Sequence, residues 1–132
     1  MKVIIRLGTS LFLAGLILIV TSGTLKAQDP VQVAPKQNKV LFENEHVRVL
    51  EFWIQSGAKM PMHSHPANVV YVFSGSKFKF TFPDGKSSER ETRNGEVIWS
   101  DSVTHAVENT GDNDAHGMVF ELKPAPKNTM EK

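Results

Sequence analysis

The 132-residue sequence contains no cysteine. Without thiols the chain can be neither stapled by disulfides nor anchored through a lipid-bearing cysteine, so its stability must come from a packed core. It also lacks an apolar run of the roughly 20 residues that span a bilayer. The longest run, residues 11–20, has 10. Nowhere do apolar side chains recur at spacings of three and four over ten residues, which leaves helices minor or absent. Basic stripes are missing too, and the excess of positive charge is local. Residues 1–27 hold Lys2, Arg6 and Lys26, and the 12 Lys and Arg that remain face 14 Asp and Glu, a net charge of −2. A chain of that balance offers no stripe to neutralise phosphates, which argues against nucleic acid as a partner.

What is present begins with an address. Lys2 and Arg6 precede the apolar stretch LFLAGLILIV, and residues 21–27 turn polar and small. That order is the order of a secretory signal, with cleavage expected after Ala27 or, alternatively, Gly23. The sequence therefore predicts export to the periplasm or the medium, with no stable membrane anchor once the leader is removed. Residues 28–39 carry Pro30 and Pro35 with no sustained period and read as a flexible lead-in. Residues 40–123 form the folded domain, and residues 124–132 form a polar tail.

Within that domain short strands alternate with turn residues. Strands are predicted over 40–44, 46–55, 68–74, 77–82, 87–92, 96–100, 104–109 and 116–123. In residues 77–82 Phe78, Phe80 and Phe82 share one side and Lys77, Lys79 and Thr81 the other, the period of a half-buried strand. Pro83, Asp84, Gly85 and Lys86 then make a tight hairpin turn. Many short strands with Gly-containing turns place the domain in the all-β class, as a sandwich or small barrel.

Three of the five histidines fall in two segments, Gly57 to Pro66 and Gly95 to Asn109. Residues two apart on a strand point the same way, so His63 and His65 present their imidazoles side by side and can share one ion. A third ligand has to come from another strand. Met60 and Met62, two apart and of opposite parity, are read as packing residues that point away from the pair. His46 and His116 stand outside both segments. Trp53, Tyr71, Phe73, Phe78, Phe80 and Trp99 are read as barrel filling or pocket wall, and Glu121 as either a buried acid or, in preference, an exposed strand residue.

The first segment resembles the first motif of the cupin superfamily: Gly57, five residues, His63-x-His65, and a closing Gly75. The second resembles the second cupin motif, opening at Gly95 and ending in His105, three residues, Asn109. Together with the strands between them, they make residues 41–123 similar to a small, single-domain cupin. The resemblance implies a double-stranded β-helix, or jelly-roll, barrel with a divalent transition metal held by His63, His65 and His105. Two departures stand out. Asn68 occupies the place of the carboxylate ligand in a shortened first motif, and Asp101 and Val103 stand where the second would have its Pro and Gly. Asn68 is thus a candidate fourth ligand, a water-holding neighbour or simply a turn residue.

Three neutral imidazoles leave the ion its full positive charge and suit Fe, Zn, Mn, Ni or Cu alike, with open positions for a small polar or anionic molecule. Two functions fit: an oxygenase- or isomerase-type enzyme, and a non-catalytic binding or sensing module, with or without metal. Small cupins commonly pair edge to edge, so the resemblance also implies a homodimer, with residues 40–42 as a candidate contact.

Overall fold

Phe78 is buried on the strand Lys77–Thr81 while Lys77 and Lys79 are exposed, as the alternation of that segment requires. In the computed structural model this strand is one of nine, and the chain is described over residues 28–125. The proposed leader, residues 1–27, and residues 126–132 of the tail lie outside the described residues. In chain order the elements are a single helical turn α1 (Pro30–Val33), β1 (Asn38–Glu43), β2 (Val47–Ile54), β3 (Lys59–His65), β4 (Asn68–Ser74), β5 (Lys77–Thr81), β6 (Ser87–Glu91), β7 (Val97–Ser100), β8 (Val103–Asn109) and β9 (Ala115–Leu122).

The strands form two antiparallel sheets, one of five in the order β1-β2-β9-β4-β7 and one of four in the order β3-β8-β5-β6. Their inner faces supply the core: Leu50, Phe52 and Ile54 from β2, Ala115 and Val119 from β9, Phe78 from β5 and Val107 from β8. Full burial of a side chain such as Leu50 contributes on the order of 1.5–3 kcal/mol. At the third position of β9 only glycine fits. A Cβ on Gly117 would lie 2.5 Å from the Tyr71 carbonyl oxygen and 2.6 Å from the Phe52 ring. The β5–β6 hairpin closes as its sequence predicts, with Gly85 at φ +81° and its N–H donating to the Phe82 carbonyl.

Two expectations are corrected. β3 did not figure among the predicted strands, because Pro61 interrupts it and it lacks β-branched residues. It forms because it is the edge of its sheet, where a missing N–H is tolerated, and because β8 pairs along it. The lead-in is not loose over residues 29–38. Asp29 caps α1 by accepting a hydrogen bond from Val31 N at 2.8 Å, and Pro30 occupies the first helical position, both favourable there. Pro30 and Ala34 are buried. Asn38 ties the segment down through donations to the carbonyls of Pro30 and Ala34 and to the Met60 sulfur. A single turn is too short for any period to register in the sequence.

Candidate metal centre

The β3–β8 pairing sets His63 directly opposite His105, and strand parity puts His65 on the same inward face as His63. The three rings converge: centroids lie 4.9 Å apart for His63 and His65, 4.9 Å for His63 and His105, and 5.8 Å for His65 and His105. One ring nitrogen of each can be chosen so that all three lie within 4.8 Å of one another.

The protonation pattern suits ligation. His63 Nδ1 sits 2.8 Å from the Pro61 carbonyl oxygen. A carbonyl only accepts, so Nδ1 carries the proton and Nε2 is left with its lone pair. Among the described residues Nε2 of His63 is the one fully buried side-chain polar atom with no hydrogen-bond partner. Leaving such an atom bare costs roughly 1–3 kcal/mol. An ion at the point where the three rings meet would remove that cost, and the donor set, all imidazole, suits a divalent transition metal. Burial, reinforced by the neighbouring imidazoles, lowers the pKa of His105 to about 3, and burial lowers that of His63 as well. Both are held neutral, the form that binds metal.

Behind His65 lies a chain of charges. Its Nδ1 is 2.6 Å from Glu121 Oε1, the other carboxylate oxygen accepts from Arg48 Nε at 2.6 Å, and Arg48 Nη1 donates to Asp29. Glu121 is 2% exposed, which corrects its reading as an exposed strand residue. Pairing of Arg48 with Glu121 on adjacent strands brings both into the barrel, and a single sequence does not show that register. Burial alone would raise the Glu121 pKa, but the bonds from His65 and Arg48 outweigh it and hold the carboxyl below its usual range. Asp29 is likewise lowered, with Arg48 overcoming the effect of burial.

Asn68 is 2% exposed and lines the same cavity, with its Nδ2 donating to the Pro66 carbonyl at 2.8 Å. Met60 also faces inward. A bulge between Met60 and His63 shifts the register and cancels the parity that would have turned it away, and it packs in the core as expected of it. His46 is exposed beside Glu45. His116 faces the outside of the five-stranded sheet, where it stacks on Trp53 and Phe73 with ring centroids 4.4 and 4.9 Å away. Trp53, Tyr71 and Phe73 are exposed and do not fill the barrel. Phe78 and Phe80 do line it, and Phe80 lies against His105 at 5.3 Å. The cavity has a volume of about 350 Å³, with walls that include Val70, Val72, Ile98, Phe82 and Val103.

No protein-family model and no curated protein sequence matches the chain. Solved structures do. A cupin domain from Bordetella pertussis Tohama I aligns with a TM-score of 0.61 at 22% identity, covering 76% of this chain and 99% of that one. An RmlC-like cupin family protein with a double-stranded β-helix fold from Methanocaldococcus jannaschii aligns at 0.51 and 16% identity, over 65% of this chain and 78% of that one. A conserved protein with a double-stranded β-helix domain from Klebsiella pneumoniae aligns at 0.52 and 17% identity, over 66% and 75%. Two antiparallel sheets closing around an interior histidine triad, together with these likenesses, give the chain the cupin fold.

Proposed function

We propose that this protein is an exported cupin that holds one divalent transition metal through His63, His65 and His105 and binds a small molecule at that metal inside the barrel. The observation that carries the reading is the convergence of three imidazoles, with ring nitrogens within 4.8 Å of one another, on a histidine whose Nε2 is buried and unpartnered. The order of charge, apolar run and small residues in residues 1–27 supports export.

Charge on the ion by itself favours a polar or anionic ligand. The apolar walls add a second requirement, so the ligand that fits has a polar, metal-binding end and an apolar body. An ion in the triad would supply Lewis acidity and, if iron or copper, electron transfer. Around it the chain offers no separate base: among the described residues lining the cavity there is no Asp, Glu, Lys, Tyr or Cys. Proton abstraction of the isomerase kind would need such a group. The cavity therefore supports oxygenase-type chemistry over isomerase-type, and the same lack supports the second reading, a non-catalytic binding or sensing module.

Elemental analysis of protein purified from its native compartment, repeated on His63→Ala and His105→Ala, tests the centre. A stoichiometric metal lost in both variants supports it, and unchanged metal in both would overturn it. Oxygen consumption by the metal-loaded protein then separates the two readings, since an unmodified ligand recovered intact from the protein belongs to a binding module.

Pairing with a second copy belongs to the same proposal. The register aligns Phe42, Val49, Phe120, Val69 and Trp99 in one row across the outer face of all five strands of the larger sheet. That row is free of charge, and the next row on the same face brings Tyr71, Met118 and Val97 beside the oppositely charged register pair Lys39 and Glu51, so a second copy packed on this face meets a largely apolar surface.

A further inference from the structure

From the chain of contacts behind His65 we infer that Glu121 is a positioning residue for the metal centre: it holds the proton of His65 on Nδ1 and supplies, from β9, the negative charge that the shortened first motif lacks at Asn68. This inference rests on the metal-binding reading above.

The geometry leaves Glu121 little else to do. Its Oε1 lies 2.6 Å from His65 Nδ1 and its Oε2 2.6 Å from Arg48 Nε, so each oxygen is engaged by a different partner. A carboxylate can only accept, and with Arg48 on one oxygen it stays ionised. His65 Nδ1 must then be the donor, so in the neutral, metal-binding form of the ring the lone pair is on Nε2. The same tautomer is imposed on His63 by the Pro61 carbonyl. Two of the three ligands are thus pre-set by different devices, a backbone carbonyl and a buried carboxylate.

Charge counting gives the second half. Asp29, Arg48 and Glu121 together carry one net negative charge, and its nearest end touches a ligand ring. A carboxylate hydrogen-bonded to a ligating imidazole raises the ring's basicity, and loss of such a partner commonly weakens metal binding 10–100-fold. Asn68 and Glu121 are register partners on adjacent strands, so the charge has moved across one strand, from the place of a ligand to the place of a ligand's support. Arg48 fixes the carboxylate, and Asp29, the cap of α1, fixes Arg48. In this way residues 29–33 are coupled to the metal centre.

Glu121→Gln distinguishes this role from packing. Glutamine preserves size, yet it cannot accept from both partners. If its oxygen meets His65, its NH2 faces the Arg48 Nε–H. If its oxygen meets Arg48, its NH2 donates to His65 Nδ1 and moves the ring proton to Nε2. Titration of the purified protein with Co²⁺, followed by visible absorption, should show binding by the unaltered chain, a roughly 10–100-fold weaker and spectrally shifted complex for Glu121→Gln, and a smaller loss in the same direction for Asp29→Asn, which keeps the helix cap. Nitrogen-15 NMR of the metal-free, unaltered protein gives a readout that needs no variant to fold: His65 should be the Nδ1–H tautomer. Co²⁺ affinity within twofold of the unaltered chain with an unchanged band in Glu121→Gln, or an Nε2–H tautomer at His65, would overturn the role of Glu121. Absence of Co²⁺ binding by the unaltered chain would instead overturn the metal centre itself.

Discussion

Asn68 and Glu121 are register partners across β4 and β9, each 2% exposed. In the cupin pattern the residue at Asn68 is a carboxylate that binds the metal. Here the acid stands on the neighbouring strand of the same sheet and reaches the ring of His65 at 2.6 Å. The histidine triad thus adjoins a buried carboxylate one hydrogen bond further out, an arrangement that bears on metal affinity, acid response and ligand choice.

Metal binding should stabilise the fold. An ion that binds only the folded state adds about 2.7 kcal/mol at 100 times its dissociation constant. For a domain of this size that corresponds to a rise in melting temperature of roughly 10–20 °C. Differential scanning calorimetry with and without Zn²⁺ should show the rise in the unaltered chain and none in His63→Ala.

Acid should weaken the metal-free protein. Burial lowers the folded-state pKa of His63 and, to about 3, that of His105, whereas both are near 6.5 when unfolded. Between those values the unfolded chain binds more protons than the folded one, so stability rises with pH. Full stability is expected above about pH 6.5. On acidification the loss from His105 should approach about 1.4 kcal/mol per pH unit, and His63 adds to it in the same direction. Urea unfolding of the metal-free protein at pH 7.5, 6 and 5 measures the slope, and a flat profile would contradict it.

Ligand preference should follow the walls of the cavity. Hydroxamates bind transition metals through the same head group whatever body they carry. Benzohydroxamate should bind the metal-loaded protein at least tenfold more tightly than acetohydroxamate, because the ring buries apolar surface worth about 25 cal/mol per Å². Phe80→Ala should shrink the difference. Isothermal titration of both compounds reads it, and equal affinities would argue against an apolar ligand body.

Gly117→Ala should destabilise the barrel by roughly 1–3 kcal/mol, the range for overpacking. The added Cβ meets the Tyr71 carbonyl at 2.5 Å, and a backbone atom cannot rotate away. The midpoint of urea unfolding should fall with little change in slope.

If the outer face of the larger sheet pairs two copies, Phe42→Lys combined with Tyr71→Lys should convert a dimer to a monomer by light scattering. Both side chains are exposed in the single chain, at 54% and 39%, so the monomer should keep its melting temperature. A monomeric mass for the unaltered protein would end this reading.

Eight of the nine strands, the hairpin at Gly85 and the side-by-side placement of His63 and His65 were legible from period and spacing, because each is set by residues no more than a few positions apart. The cupin motifs extended that reach to His105, which then lay directly opposite His63. Other features resisted. Strand β3 is sustained by pairing with β8 against weak local preference, and its bulge turns Met60 inward against simple parity. The turn at Pro30–Val33 is too short to carry a period, yet it closes the network behind His65 through Asp29.

Glu121 marks the boundary between the two kinds of information. Strand alternation says that it shares a face with Val119, but not whether that face is wet or dry, nor what meets it there. Its burial follows from the register of three strands, which sets Arg48 and Asn68 beside it, and its charge is tolerable only because His65 and Arg48 arrive from segments 56 and 73 residues away. Local periodicity sufficed for the strands and for which side chains could share a face. Long-range pairing decided which polar groups were buried, because desolvation is offset only by partners that the folded chain brings together.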